Sequence, residues 1–132
     1  MCSSFSPLMQ AFHFSQEIAR EGFDWDSPFG AVNKVQEELE EVTEELRKKQ
    51  SLERHKALNE EMGDLFLACC CLAMHCNVNP DEAILDGLTK LMKRYARFKF
   101  YVQERGICLK ETSSKEISIL WQLVKQEKAS ED

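Results

Sequence analysis

Four acidic residues in this sequence are spaced so that they can serve one small cation. Glu38 and Glu41 form one pair and Glu61 and Asp64 another, each three residues apart. On a helix, residues three apart lie about 60° from each other around the axis, so each pair can point at one spot. Two such helices side by side would bring four anionic oxygen donors together. Converging carboxylates repel one another, and a hard divalent cation, Mg²⁺ or Mn²⁺, relieves that repulsion. Mg²⁺ held this way keeps positions open for water and for phosphate oxygens. The chemistry these residues suggest is therefore metal-assisted phosphate chemistry on helices.

The elements that must carry these pairs are legible in the hydrophobic spacing and the caps. Helices are predicted over 6–21, 28–49, 52–76, 80–105 and 113–128, with no strand alternation anywhere. Gly22 ends the first helix, and Pro28 is placed to open the second. Val32, Val35, Leu39, Val42 and Leu46 step by three and four along the second helix, a single apolar stripe. The third helix is amphipathic through Leu58, Met62 and Leu65. Beyond that it is apolar all round, which predicts the most buried element. Asn79, Pro80 and Glu82 form a strong start for the fourth helix, which stops at Gly106. Ser113 and Glu116 form a capping box for the fifth, which carries Ile117, Leu120, Trp121 and Val124.

At 100° per residue, Glu38 stands to Leu39 as Glu61 stands to Met62, so both helices carry a core stripe with a carboxylate pair rotated off it. Asp64 shares its face with Ala68 and Cys71 and sits at the mouth of an apolar region, where a carboxylate needs a partner. Glu37 and Glu60 turn toward solvent or stand behind the ligands. A di-iron bundle also uses carboxylate-rich helices, but it needs Glu-x-x-His pairs, and His13, His55 and His75 follow no Glu at that spacing. Read alone, the run from Glu37 to Glu45 would be a solvated acidic face. Glu61 and Asp64 resist that reading because ten apolar residues, Leu65 to Met74, follow directly.

A chain of 132 residues fits one domain, 1–132, with a real core. Its net charge of −6 argues against non-specific binding to nucleic acid or an anionic membrane. The charge is uneven: Lys34 to Asp64 holds ten acidic and six basic residues, whereas Lys90 to Arg105 holds six basic and one acidic. An acidic metal site facing a basic segment suits a ligand that is both metal-bound and polyanionic. Met1 to Gln10 lacks a basic stretch leading into an apolar one, and Leu65 to Met74 is too short to span a bilayer, which predicts a cytoplasmic protein. The six cysteines form no CxxC pair. Cys69, Cys70 and Cys71 read as small buried hydrophobes, and Cys2 and Cys108 as exposed bystanders. The last residues, Ala129 to Asp132, are expected to fray.

Three stretches together resemble a known family. They are Gly22-Phe23-Asp24-Trp25, Lys34-Val35-x-Glu37-Glu38-Leu39-x-Glu41 and Glu60-Glu61-Met62-Gly63-Asp64-Leu65. They are similar to the catalytic domain of MazG nucleoside triphosphate pyrophosphohydrolases, above all the C-terminal domain of the two-domain proteins. The likeness continues through Lys90, Arg94, Tyr95, Gly106 and the closing Leu120-Trp121-Gln122-x-Val124-Lys125. It implies an all-α helical bundle of about five helices that assembles as a homodimer or homotetramer. It implies Mg²⁺, with Mn²⁺ as a substitute, on Glu38, Glu41, Glu61 and Asp64. It places Lys90 and Arg94 on the triphosphate, and Trp121 and Lys125 near the nucleotide. The implied reaction releases monophosphate and pyrophosphate in nucleotide-pool house-cleaning, with Glu37, Glu38 or Glu41 as the base toward water. The sequence departs from the family pattern at Leu88, where Asn is frequent, and at Ala57, where a basic residue is common. A narrower dUTP or dCTP pyrophosphatase and a non-catalytic nucleotide- or partner-binding module are the alternatives.

Overall fold

The computed structural model describes residues 4–131, with side chains through Glu127. The expectation for Cys2 falls outside the described residues, as do the side chains of 129–131 and the whole of residue 132, and the backbone of 129–131 continues α5. Five helices follow one another: α1 (Pro7–Arg20), α2 (Pro28–Arg47), α3 (Leu52–His75), α4 (Pro80–Glu104) and α5 (Ser114–Glu131), with a 3-10 turn at Leu109–Glu111 before α5. The described residues contain no strand. The all-α fold is the one that the spacing predicts, and each helix starts within one residue of its expected start.

The starts agree because side chains fix them. Ser6 Oγ accepts the Met9 amide at 3.1 Å, and Ser51 Oγ accepts the Arg54 amide at 3.0 Å. Asn79 Oδ1 takes the Asp81 and Glu82 amides at 3.0 and 3.1 Å, and Ser113 Oγ takes that of Glu116 at 3.2 Å. Each bond satisfies a donor that the first turn would otherwise leave unpaired. Ser27 makes no such bond, and Pro28 alone opens α2. The ends are equally defined. After α1, the Phe23 amide returns to Ile18 O and the Gly22 amide to Ala19 O, with Gly22 at φ 102°. This is a Schellman cap, whose left-handed position favours glycine. Gly106 (φ 63°) repeats it after α4, and Asn77 (φ 53°) fills the position after α3.

The chain divides into two compact units, residues 1–84 and 85–132. In the first, α1 and α2 both pack against α3. Ser6 Oγ donates to Asp81 Oδ1 at 2.6 Å, tying the start of α1 to the start of α4. Ala31, Val42, Ala68 and Cys70 are buried.

Two expectations about this unit are corrected. Leu39, the expected centre of the α2 stripe, is 53% exposed, whereas Glu38 beside it is 9% exposed. The second half of α3 is not buried all round: Phe66, Leu67 and Cys69 are exposed, and only Ala68 and Cys70 are buried. Hydrophobic period tells which residues share a face. It does not tell whether an element of the same chain covers that face.

In the second unit, Phe98, Val102 and Val124 form the core, with Ile117, Leu120 and Trp121 packed against it. Trp121 meets Phe98 edge to face at 5.6 Å between ring centroids, a favourable aromatic geometry. Cys108 is exposed, as expected. No single helix among the described residues is long and apolar enough to cross a membrane.

Candidate metal centre

The register of α2 and α3 follows from their short connection. Arg47 ends α2 and Leu52 opens α3, and the two helices pack on each other. Such a tight link makes an antiparallel helical hairpin. Glu38 lies nine residues before Arg47, and Glu61 nine residues after Leu52. At 1.5 Å per residue both stand about 13.5 Å from the turn, so they are level. The turn is pinned by Ser51 and by Arg54, whose Nη1 donates to Lys48 O at 2.8 Å. A four-residue connection thus sets the register on which the centre depends.

Carboxylate oxygens of Glu38, Glu61 and Asp64 lie within 4.8 Å of one another. Glu38 is buried, Glu61 half-buried and Asp64 exposed, so the group forms a cleft that opens from α2 toward solvent on the Asp64 side. The sequence pairing of Glu61 with Asp64 is realised on one face of α3. Glu41 does not join the three oxygens. It is exposed on α2, near enough for its charge to act on Glu61. The Glu61 carboxyl is held above the usual glutamate range, first by loss of solvation and then by the charges of Glu41, Asp64, Glu38 and Glu45. An excess of negative charge on oxygen donors alone is the environment that a hard dication fits. Glu38, Glu61 and Asp64 supply three such donors.

Lys34, one turn before Glu38, stands in the motif without a role that the sequence assigns. Its Nζ lies 2.8 Å from Glu38 Oε1 and 3.5 Å from Glu37 Oε2. The hydrogen bond to Glu38 is the main cause that raises the Lys34 ammonium above the usual lysine range, and partial burial opposes it. Glu37 is largely exposed and reaches Lys34, not the three clustered oxygens. Glu45 is an acidic residue of the same run that the spacing did not single out. It is mostly buried, pairs with Lys48 and adds to the field on Glu61. Both omissions had a visible signal. Lys34 precedes Glu38 by four and Glu45 follows it by seven, which are same-face spacings.

Further along α3, in the same unit, a cavity of about 170 Å³ is lined by Ile18, Phe23, Trp25, Cys71 and Met74 among others. Trp25 is seated against α2 because position 30 is glycine: a Cβ there would stand 3.0 Å from Trp25 Cβ. His75 Nε2 lies 2.7 Å from Asp24 Oδ1, which places the loop after α1 beside the end of α3. The Cys71 thiol is pushed up by burial and by the charge of Asp24, while contacts with Trp25 and Ser15 oppose the shift. Cys71 follows Asp64 by two turns, so the cavity wall is about 10 Å along α3 from the carboxylates.

The remaining expected residues belong to the second unit. Lys90 is exposed on α4, and Arg94, one turn on, is half-buried with its Nε unpaired. Trp121 is half-buried against Phe98, and Lys125 is half-buried on α5.

Known proteins share this sequence pattern. The model of the MazG nucleotide pyrophosphohydrolase domain matches residues 26–98, a span that holds all three clustered carboxylates, Lys34, Glu41, Lys90 and Arg94. The nucleoside triphosphate pyrophosphohydrolase of Escherichia coli K12 is 32% identical over 124 residues, covering 94% of this chain and 46% of that protein. The nucleoside triphosphate pyrophosphohydrolase/pyrophosphatase MazG of Thermotoga maritima is 27% identical over 124 residues, covering 91% of this chain and 46% of its own length. The chain therefore spans about half the length of the curated relatives it matches.

Proposed function

Given that this chain belongs to the MazG nucleotide pyrophosphohydrolase family, we propose that it hydrolyses nucleoside triphosphates to the monophosphate and pyrophosphate. The observation that carries this reading is the meeting of Glu38, Glu61 and Asp64 within 4.8 Å, inside the matched span. Those residues, with Glu41 beside them, would hold Mg²⁺ or Mn²⁺. When bound, such a cation offsets phosphate charge and favours a water that attacks the α-phosphorus. The water oxygen joins the α-phosphorus, the α–β anhydride bond breaks and pyrophosphate leaves. A carboxylate receives the proton that the water gives up. Glu41 and Glu37 are exposed and free of the three-oxygen cluster, which suits them to that role. The assignment of Lys90 and Arg94 to phosphate, and of Trp121 and Lys125 to the nucleotide, rests on the match of residues.

Two further elements of the reading have their own support. Leu39 and Leu46 on α2, and Phe66 and Leu67 on α3, leave apolar side chains in water. A second copy of the chain would cover them, as a homodimer or within a homotetramer. The five described cysteines are all free, which suits a cytoplasmic protein acting on the nucleotide pool.

The test is direct. The purified protein is incubated with Mg²⁺ and each of the eight common ribo- and deoxyribonucleoside triphosphates, and the products are separated. Monophosphate with pyrophosphate is the expected result, and the ranking of bases distinguishes a broad enzyme from a dUTP- or dCTP-selective one. Diphosphate with phosphate would refute the reaction. Absence of turnover, with nucleotide still raising the melting temperature, would leave a binding module.

A further inference from the structure

We propose that the Lys34 ammonium is the resident counter-cation of the metal centre, holding Glu38 when no divalent cation is bound and competing with that cation for the Glu38 carboxylate. The inference rests on the reading above that Glu38, Glu61 and Asp64 form a cation site.

Geometry carries it. Lys34 Nζ lies 2.8 Å from Glu38 Oε1, the innermost of the three clustered carboxylates, whose side chain is only 12% exposed. Little water reaches that oxygen, so its charge depends on the partner it has in the protein. Without Lys34, Glu38 would be a buried carboxylate facing two others, which is costly for a charge in poor contact with solvent. The attachment is local. Lys34 and Glu38 are four residues apart on α2, so the ammonium reaches the carboxylate with no rearrangement of the fold. Lys34 is itself 40% exposed and has Glu37 at 3.5 Å as a second acceptor. It can therefore release Glu38 by a rotamer change and remain paired at the surface.

The same contact opposes metal loading. One lone pair of Glu38 is engaged by a donor, and a dication approaching Glu38 meets a positive charge within hydrogen-bond distance of its ligand. Ammonium and dication thus stabilise the same cleft by exclusion of each other. An ordinary exposed i,i+4 pair would contribute little either way. The burial of Glu38 is what makes this one matter.

The experiment measures metal binding apart from turnover. Free Mn²⁺ is titrated against nucleotide-free protein and followed by electron paramagnetic resonance, while the melting temperature is recorded in EDTA. Wild type is compared with Lys34→Met, Lys34→Arg and Glu61→Gln. Lys34→Met is expected to bind Mn²⁺ tighter by on the order of tenfold, the scale of removing one charge beside a ligand carboxylate. In EDTA it should melt below wild type, and Lys34→Arg should stay close to wild type in both. If Lys34→Met does not fold in EDTA, Lys34→Gln is measured with the same two readouts. Mn²⁺ binding by the neutral variant that is unchanged or weaker overturns the inference and leaves the metal site standing. Wild type that binds Mn²⁺ no better than Glu61→Gln overturns the metal site and this inference together.

Discussion

Glu38 is the residue on which the centre turns, because it is buried, charged and shared between a lysine and two other acids. Glu38→Gln and Asp64→Asn keep the shape of the side chains and remove one anionic donor each. Both variants are expected to keep the far-ultraviolet circular dichroism of wild type. Loss of even a supporting residue behind a metal ligand commonly costs 10–100-fold, so Mg²⁺-dependent turnover should fall by at least about a hundredfold. Unaltered turnover in either variant would remove it from the ligand set. Glu61 makes a separate prediction about pH. Its folded carboxyl is held above the usual range by burial, then by Glu41, Asp64 and Glu38, whereas the unfolded chain titrates normally. Between the two values the folded protein holds a proton that the unfolded chain has lost. Stability from this group is present below the ordinary glutamate value and is lost as pH rises through the folded value. In EDTA, the urea midpoint of wild type should therefore fall relative to that of Glu61→Gln as pH is raised through this window. Mg²⁺ should reduce the difference, and parallel profiles in EDTA would contradict the assignment.

At the scale of elements, the helix ends do more than stop helices. The α2–α3 connection sets Glu38 level with Glu61, and Ser51 caps the second of these helices while Arg54 closes back on the Lys48 carbonyl. Ser51→Ala leaves the Arg54 amide without its side-chain acceptor. It should lower the unfolding free energy by about 1 kcal/mol, measured by urea denaturation in EDTA. A neutral effect would mean that the turn is held by Arg54 and packing alone. The Schellman caps at Gly22 and Gly106 work in the same way, since each returns two amides to the preceding helix and fixes where the next segment leaves. After α1 that segment is the Phe23-to-Trp25 stretch. There Gly30 leaves room for Trp25, and His75 on α3 stands beside Asp24.

For the whole molecule, the question is what covers the apolar faces of α2 and α3. Leu39 and Phe66 are more than half exposed, on the helices that carry the clustered acids. If a second copy lies there, Leu39→Gln removes apolar contact area at the interface and costs the isolated chain little. Light scattering after size exclusion is then expected to show a dimer or larger for wild type and a shift toward monomer for Leu39→Gln, with helix content retained. A wild-type monomer would remove the pairing from the proposed function.

The sequence by itself determined the helices, their caps and the acidic pairs. These depend on interactions within a few residues: capping oxygens three positions from their amides, proline at the start of a helix, glycine or asparagine where φ turns positive. The level of Glu38 with Glu61 came from the observed end of α2 at Arg47 and its packing on α3. Only the tertiary structure decided which acids converge. The α2 stripe pointed to Leu39 as inward and placed Glu38 and Glu41 together to one side. The packed helix instead turns Glu38 toward α3 and leaves both Leu39 and Glu41 in solvent. The physical reason is that periodicity fixes the angle between residues on one helix and says nothing of the angle between that helix and its neighbour. That rotation is set by what the helix packs against, and it is what brings Glu38, with Lys34 beside it on the same helix, to Glu61 and Asp64.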